Sequence, residues 1–236
     1  MAKPFETWTV FPHGPFEKPS ANLWRVEAPF PGAPFLRNMH VARMKDGGLV
    51  IHNAIALNDE EMKELEAWGT PKWLIVPNGG HRQDARIWKQ RYPDMKVIAP
   101  PGAKAKVEQI VKVDETKPEL DDTVRYEVLE GTKEREGVMR VVDGDKSFLV
   151  FCDGVMNNRS HHLRGFGGFM MGLAGFKSDA LKVTFPARMA IVADKKAYRA
   201  HLERLATGDL ARIDMAHGAP VTEGAKAALE HAASEL

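Results

Sequence analysis

The chain has 236 residues, 44% of them apolar, enough to bury a substantial core within one domain. Lysine plus arginine (33) nearly cancels aspartate plus glutamate (32), so no chain-wide positive field draws in nucleic acid or an anionic membrane. The single cysteine, Cys152, excludes an internal disulfide, no apolar leader opens the chain and no run is long enough to span a membrane; a cytoplasmic protein handling a small molecule is expected.

Residues 1–21 are proline-rich and aperiodic, an arm lying across the body of a single domain formed by residues 22–236. The first strand is expected at 22–28. Strands at 40–44 and 49–53 flank Asp46-Gly47, a hairpin signal because glycine supplies the positive φ that such turns need. Asn58 then reads as a helix N-cap, with Glu61 placed for a reciprocal cap and Leu57 and Met62 for a hydrophobic staple. Met62, Leu65 and Trp68 form the inner stripe of that helix, and Gly69 ends it. An apolar strand at 73–76, a glycine-containing loop through Asp84 and a helix at 85–91 make one α/β unit. A strand at 97–99 and a helix at 103–111 follow.

The middle of the chain is β-rich, with strands at 124–129, 138–142 and 148–151, the last two joined by a second Asp-Gly turn at Asp143-Gly144. Residues 158–189 read as an insertion. Its segment 165–176 alternates glycine with Phe166, Phe169, methionines and Phe176, which suits a lid over an apolar pocket or a homodimer contact. Helices at 195–206 and 223–233 enclose a strand at 213–215. The order β-rich, βαβα, β-rich, αβα predicts a four-layer αββα sandwich of the α/β (α+β) class.

Four strand exits carry groups that bind metals or move protons: His52, the loop from His81 to Asp84, Asp153 and His217. Loops along one edge of a sandwich converge, so these distant positions can share a pocket. Cys152 ends an apolar strand with no basic neighbour and reads as a structural thiol. His161 and His162 read as loop histidines that a lid could carry to a pocket, and Arg82 as a binder of an anionic substrate. His13 and His40 belong to no constellation.

Taken together, Leu49-Val50-Ile51-His52, the loop around His81, Phe151-Cys152-Asp153-Gly154 and the terminal His217-Gly218-Ala219-Pro220-Val221 resemble the metallo-β-lactamase-like hydrolase superfamily across 22–233. The last two motifs are the more specific. The resemblance is to a branch whose metal motif is degenerate: the His-x-His-x-Asp-His loop of active members reads Gly79-Gly80-His81-Arg82-Gln83-Asp84 here, and a further histidine position reads Gly131-Thr132. It implies a ligand set of His81, Asp84, Asp153 and His217 for one zinc, iron or manganese ion. Such an ion lowers the pKa of bound water, with His52 or Asp84 as proton acceptor and Arg82, His161, His162, Phe166 and Phe169 around the substrate. A mononuclear metal-dependent hydrolase is one reading. The other is a non-catalytic ligand-binding or scaffold protein that keeps the fold with no metal cofactor.

Overall fold

The computed structural model describes residues 3–158, 165–178 and 180–236. Strands β1 (Glu17–Ser20), β2 (Leu23–Pro29), β3 (Leu36–Arg43), β4 (Gly48–His52), β5 (Thr70–Ile75) and β6 (Lys96–Ile98) form a six-stranded sheet in sequence order. It is antiparallel up to β4 and parallel from β4 to β6, because a helix follows each of β4 and β5: α1 (Asp59–Trp68) and α2 (Ala85–Arg91). The second sheet has the order β10-β9-β8-β7, from β7 (Val124–Val128), β8 (Gly137–Asp143), β9 (Lys146–Phe151) and β10 (Asp209–Met215). Only the β9–β10 pair in it is parallel.

Alternation along the strands builds three cores and hence four layers. Leu49, Ile51 and Leu74 face α1 and α2, whereas Val50 and Ile75 on the opposite face meet Met139, Val141 and Val150 of the second sheet. Leu149 and Phe151 point outward again, under α6 (Lys195–Leu205) and α7 (Ala225–Ser234), together with Tyr198, Leu202 and Leu229. Both Asp-Gly turns form as expected, with φ of 79° at Gly47 and 63° at Gly144. The αββα sandwich follows from this layering.

The arm is more structured than its prolines suggest. It contributes β1, buries Phe5, Trp8 and Phe16 against the first core, and ties down through a 2.8 Å hydrogen bond from the Trp8 indole to the Leu57 carbonyl. Two other expectations are corrected. Asn58 does cap α1, accepting from the amides of Glu60 and Glu61, but its own N–H donates to His13 Nε2 at 3.2 Å, so the reciprocal cap with Glu61 is absent. The helix expected at 103–111 is one α-turn, α3 (Lys104–Val107), running into turns. The glycine-rich segment is helical: α4 (Gly165–Met171) continues into a π-helical turn (Gly172–Phe176), and α5 (Phe185–Ala190) follows.

Between the sheets lies a charged network. Asp214 on β10 accepts two hydrogen bonds from Arg212, at 2.6 and 3.1 Å, and faces His40 Nε2 at 3.3 Å. Glu17 of the arm accepts from both Arg25 and Arg212. Burial raises the Asp214 carboxyl, but His40 first and then the Arg212 guanidinium hold it down at about 2. Thus His40, which the sequence left unassigned, belongs to an ion-pair cluster sealing the two sheets.

Candidate metal centre

Strand register explains why three distant residues meet. Phe151 on β9 pairs with Met215 on β10, so Asp153 and His217, each two residues beyond, leave the sheet side by side. His81 comes from the other sheet, on the loop between β5 and α2. Its Nε2 lies 3.2 Å from His217 Nε2 and 3.2 Å from Asp153 Oδ2, and His217 Nε2 lies 3.9 Å from Asp153 Oδ1. All three line one cavity of about 360 Å³, walled by Phe30, Phe35, Met171, Phe176 and Ile191.

The outer nitrogens fix the tautomers. His217 Nδ1 sits 2.7 Å from the Leu36 carbonyl, which can only accept, so that nitrogen carries the proton. His81 Nδ1 sits 3.0 Å from Asn53 Oδ1, and the amide of Asn53 is oriented by its other end, where Nδ2 donates to the Asn38 carbonyl at 2.8 Å. Both rings therefore aim Nε2 into the same space, beside the Asp153 carboxylate. Two Nε2 atoms 3.2 Å apart must share a proton or a cation, and a carboxylate stands beside both. Two donors about 2.0–2.1 Å from a tetrahedral ion are about 3.3–3.4 Å apart, so the spacing fits a single small metal ion.

Backbone chemistry holds this arrangement. Asn53 adopts a left-handed φ of 57°, which turns the chain out of β4 and aims its amide at His81. Gly218 has φ 88°, and a Cβ there would come within 2.6 Å of the Asn157 carbonyl, which explains the glycine after His217. Asn38 clamps that turn: its side-chain amide donates to the carbonyls of Met215 and Gly218, and its N–H donates to the Ala216 carbonyl. Phe35 packs edge-on to the His217 ring, with centroids 4.7 Å apart.

Burial, helped by neighbouring His81, brings His217 down to about 4, so at neutral pH this imidazole is unprotonated and ready to act as a ligand. For Asp153 burial works upward, but His81, His217 and the 2.8 Å hydrogen bond from Asn78 outweigh it, and its carboxyl lies below the usual range. Beside it is Glu136, a fully enclosed residue that sequence reading missed. Burial and then the Asp153 charge push Glu136 well above the ordinary carboxyl value, so of the two carboxyls Asp153 is the ionised one. Asn78 bridges them, donating to Glu136 Oε1 at 2.6 Å. Burial likewise raises the Cys152 thiol, in keeping with a structural role.

Several expected site residues lie elsewhere. Asp84 does not join His81, Asp153 and His217: its carboxylate pairs with buried Arg37 and accepts from the Ala56 amide at 3.0 Å, anchoring the His81 loop from behind. His52 lies between the sheets, opposite His40 with ring centroids 6.1 Å apart, and is not among the residues lining the cavity at His81 and His217; neither of its nitrogens has a partner among the described residues. It cannot accept a proton from the pocket. Arg82 reaches away, donating to the Lys106 carbonyl and to Gln109 Oε1. Phe166 and Phe169 point into solvent, because the helical period turns Met171 and Phe176 toward the cavity instead. His161 and His162 fall outside the described residues. Thr132, at the further histidine position, donates to the Leu129 carbonyl within its own turn.

This sandwich, with loops from both sheets meeting at one edge, is the metallo-β-lactamase fold. The metallo-β-lactamase from Erythrobacter litoralis, solved with β-mercaptoethanol in its active site, superposes with a TM-score of 0.59 at 15% identity over 94% of this chain and 96% of that one. The mono-zinc form of the metallo-β-lactamase FIM-1 from Pseudomonas aeruginosa gives 0.60 at 8% identity over 96% of each chain. The metallo-β-lactamase from Hirschia baltica gives 0.58 at 11% identity over 93% and 98%. No protein-family model matches the sequence, and no curated protein matches it.

Proposed function

We propose that the protein is a mononuclear metal-dependent hydrolase of a small molecule, with His81, Asp153 and His217 as the ligands of one zinc, iron or manganese ion. The observation that carries this reading is the pair of Nε2 atoms converging beside a carboxylate, with both outer nitrogens committed to acceptors. Two nitrogens and one oxygen leave coordination positions open, as catalytic sites do. An ion held there supplies Lewis acidity to a carbonyl or phosphoryl oxygen and makes water acidic enough to act near neutral pH.

The chain's own groups do the rest. Asn53 and the Leu36 carbonyl keep the imidazoles in the ligating tautomer, and Asn78, which donates to both Asp153 and Glu136, orients the Asp153 carboxylate. The aromatic and aliphatic walls exclude water and receive an apolar substrate body. A second cavity of about 250 Å³ joins the first at Asp153 and is bordered by Lys106, Arg135 and Glu136, which suits an anionic end of the same substrate. These two cations take the role that Arg82 was expected to fill.

Metal content after chelator-free purification, and after reconstitution with zinc, iron(II) or manganese(II), tests the reading. Close to one ion per chain is expected, lost in His217→Ala and Asp153→Ala, together with metal-dependent turnover in a panel of aryl esters and phosphoesters. A wild-type chain that takes up none of the three ions overturns it and leaves the non-catalytic ligand-binding reading.

A further inference from the structure

The helices that roof the cavity turn an apolar face outward. Phe166, Phe169, Met170 and Leu173 follow the i, i+3, i+4, i+7 spacing of one helical stripe along α4 and the π-turn, and Phe185 and Met189 form a second stripe on α5. These six side chains are 48–79% exposed, and among the described residues only Val10 joins them as an exposed large hydrophobe. The two stripes adjoin, since Gly175 abuts Phe185 and Pro186. The inner sides of the same helices carry Met171, Phe176 and Ala187 into the cavity, so apolar surface runs from solvent to the metal centre.

Charge selects what covers this face. Residues 159–193 contain five basic side chains (Arg159, Arg164, Lys177, Lys182 and Arg188) against one acidic residue, Asp179, and the remainder of the chain is therefore net negative. Lys177, Lys182 and Arg188 border one surface depression with Phe185; Glu235 at its edge lies 3.9 Å from Arg188. At the depression itself the three described cations outnumber Glu235. Two copies meeting through this face would bring their cations together, which disfavours the homodimer expected from sequence. An apolar face rimmed by lysine and arginine matches instead the interface of an anionic bilayer, where rings and thioethers enter the acyl boundary and cations meet headgroup phosphates.

We infer that the α4–α5 face docks on anionic lipid bilayers and opens the cavity toward molecules dissolved in them. This surface reading is independent of whether a metal is bound. The test is co-sedimentation of the full chain with vesicles of phosphatidylcholine alone and of phosphatidylcholine mixed with phosphatidylglycerol, at low and high salt. Wild type is expected to bind the mixed vesicles and to be released by salt. Leu173→Ser combined with Met189→Ser, both solvent-facing, is expected to weaken binding by roughly tenfold or more with an unchanged circular dichroism spectrum. Lys182→Glu is expected to weaken binding to mixed vesicles alone. No vesicle binding overturns the inference, as does binding indifferent to these substitutions. Sedimentation equilibrium showing a wild-type dimer that the double substitution dissociates, without vesicle binding, assigns the face to a second copy and also overturns it.

Discussion

The Asn53 side chain holds His81 at 3.0 Å through its oxygen while its nitrogen is anchored 2.8 Å from the Asn38 carbonyl, so the tautomer of one imidazole is set by an amide that cannot turn over. Outer partners of this kind typically govern metal affinity by about 10–100-fold. Asn53→Gly keeps the left-handed backbone and removes only the amide. It is expected to weaken zinc binding within that range, measured by competition with a chromophoric chelator, while the fold persists by circular dichroism.

Because the three residues proposed as ligands come from both sheets, metal binding there is expected to stabilise the fold. Zinc at roughly 100 times its dissociation constant adds about 2.7 kcal/mol to a native state that alone binds it. Thermal denaturation should therefore shift upward with metal and return with chelator. His217→Ala should show no shift.

His52 has no hydrogen-bond partner among the described residues, and burial first, then His40 and His81, hold it well below its ordinary value of 6.5. Such a histidine takes up a proton only on unfolding. Its contribution to stability is intact above pH 6.5 and is lost as pH falls below that value, at about 1.4 kcal/mol per pH unit for one proton. Burial also lowers His40 and His217, and they act in the same direction. Urea denaturation of the metal-free protein from about pH 7 to pH 5 should show a steep loss, and His52→Leu should remove close to one proton's worth of the slope.

Asp84 and Arg37 form a buried ion pair in which Arg37 Nε and Nη2 have no other partner. Asp84→Asn leaves a buried charge without its counterion, a loss of about 3–5 kcal/mol. The expected urea midpoint falls accordingly, with no direct loss of a metal ligand. If Asp84 ligated the metal, affinity would collapse while stability of the metal-free protein changed little.

Gly218→Ala forces a Cβ into the Asn157 carbonyl at a backbone angle that alanine resists. A cost of about 1–3 kcal/mol is expected. Because the strain falls on the His217 turn, zinc affinity should drop with the melting temperature.

What the sequence disclosed divides along physical lines. The Asp46-Gly47 and Asp143-Gly144 hairpins, the Asn58 cap and the exit positions of Asp153 and His217 were legible, because each depends on local backbone chemistry. Asp84 misled because spacing within a loop does not reveal which way a carboxylate turns, and its partner Arg37 lies 47 residues away. Glu136 gave no signal: within the charged run 133–136 it looks like surface, and only tertiary packing encloses it. The helix in 165–176 was hidden by its glycines, whose helix propensity is low.

Asn38 gives the metal centre a common datum. Its carbonyl carries Asn53, which aims His81, and its amide clamps the turn that bears His217. Both imidazoles are thus surveyed from a single residue, and a change at Asn38 reaches the two of them together.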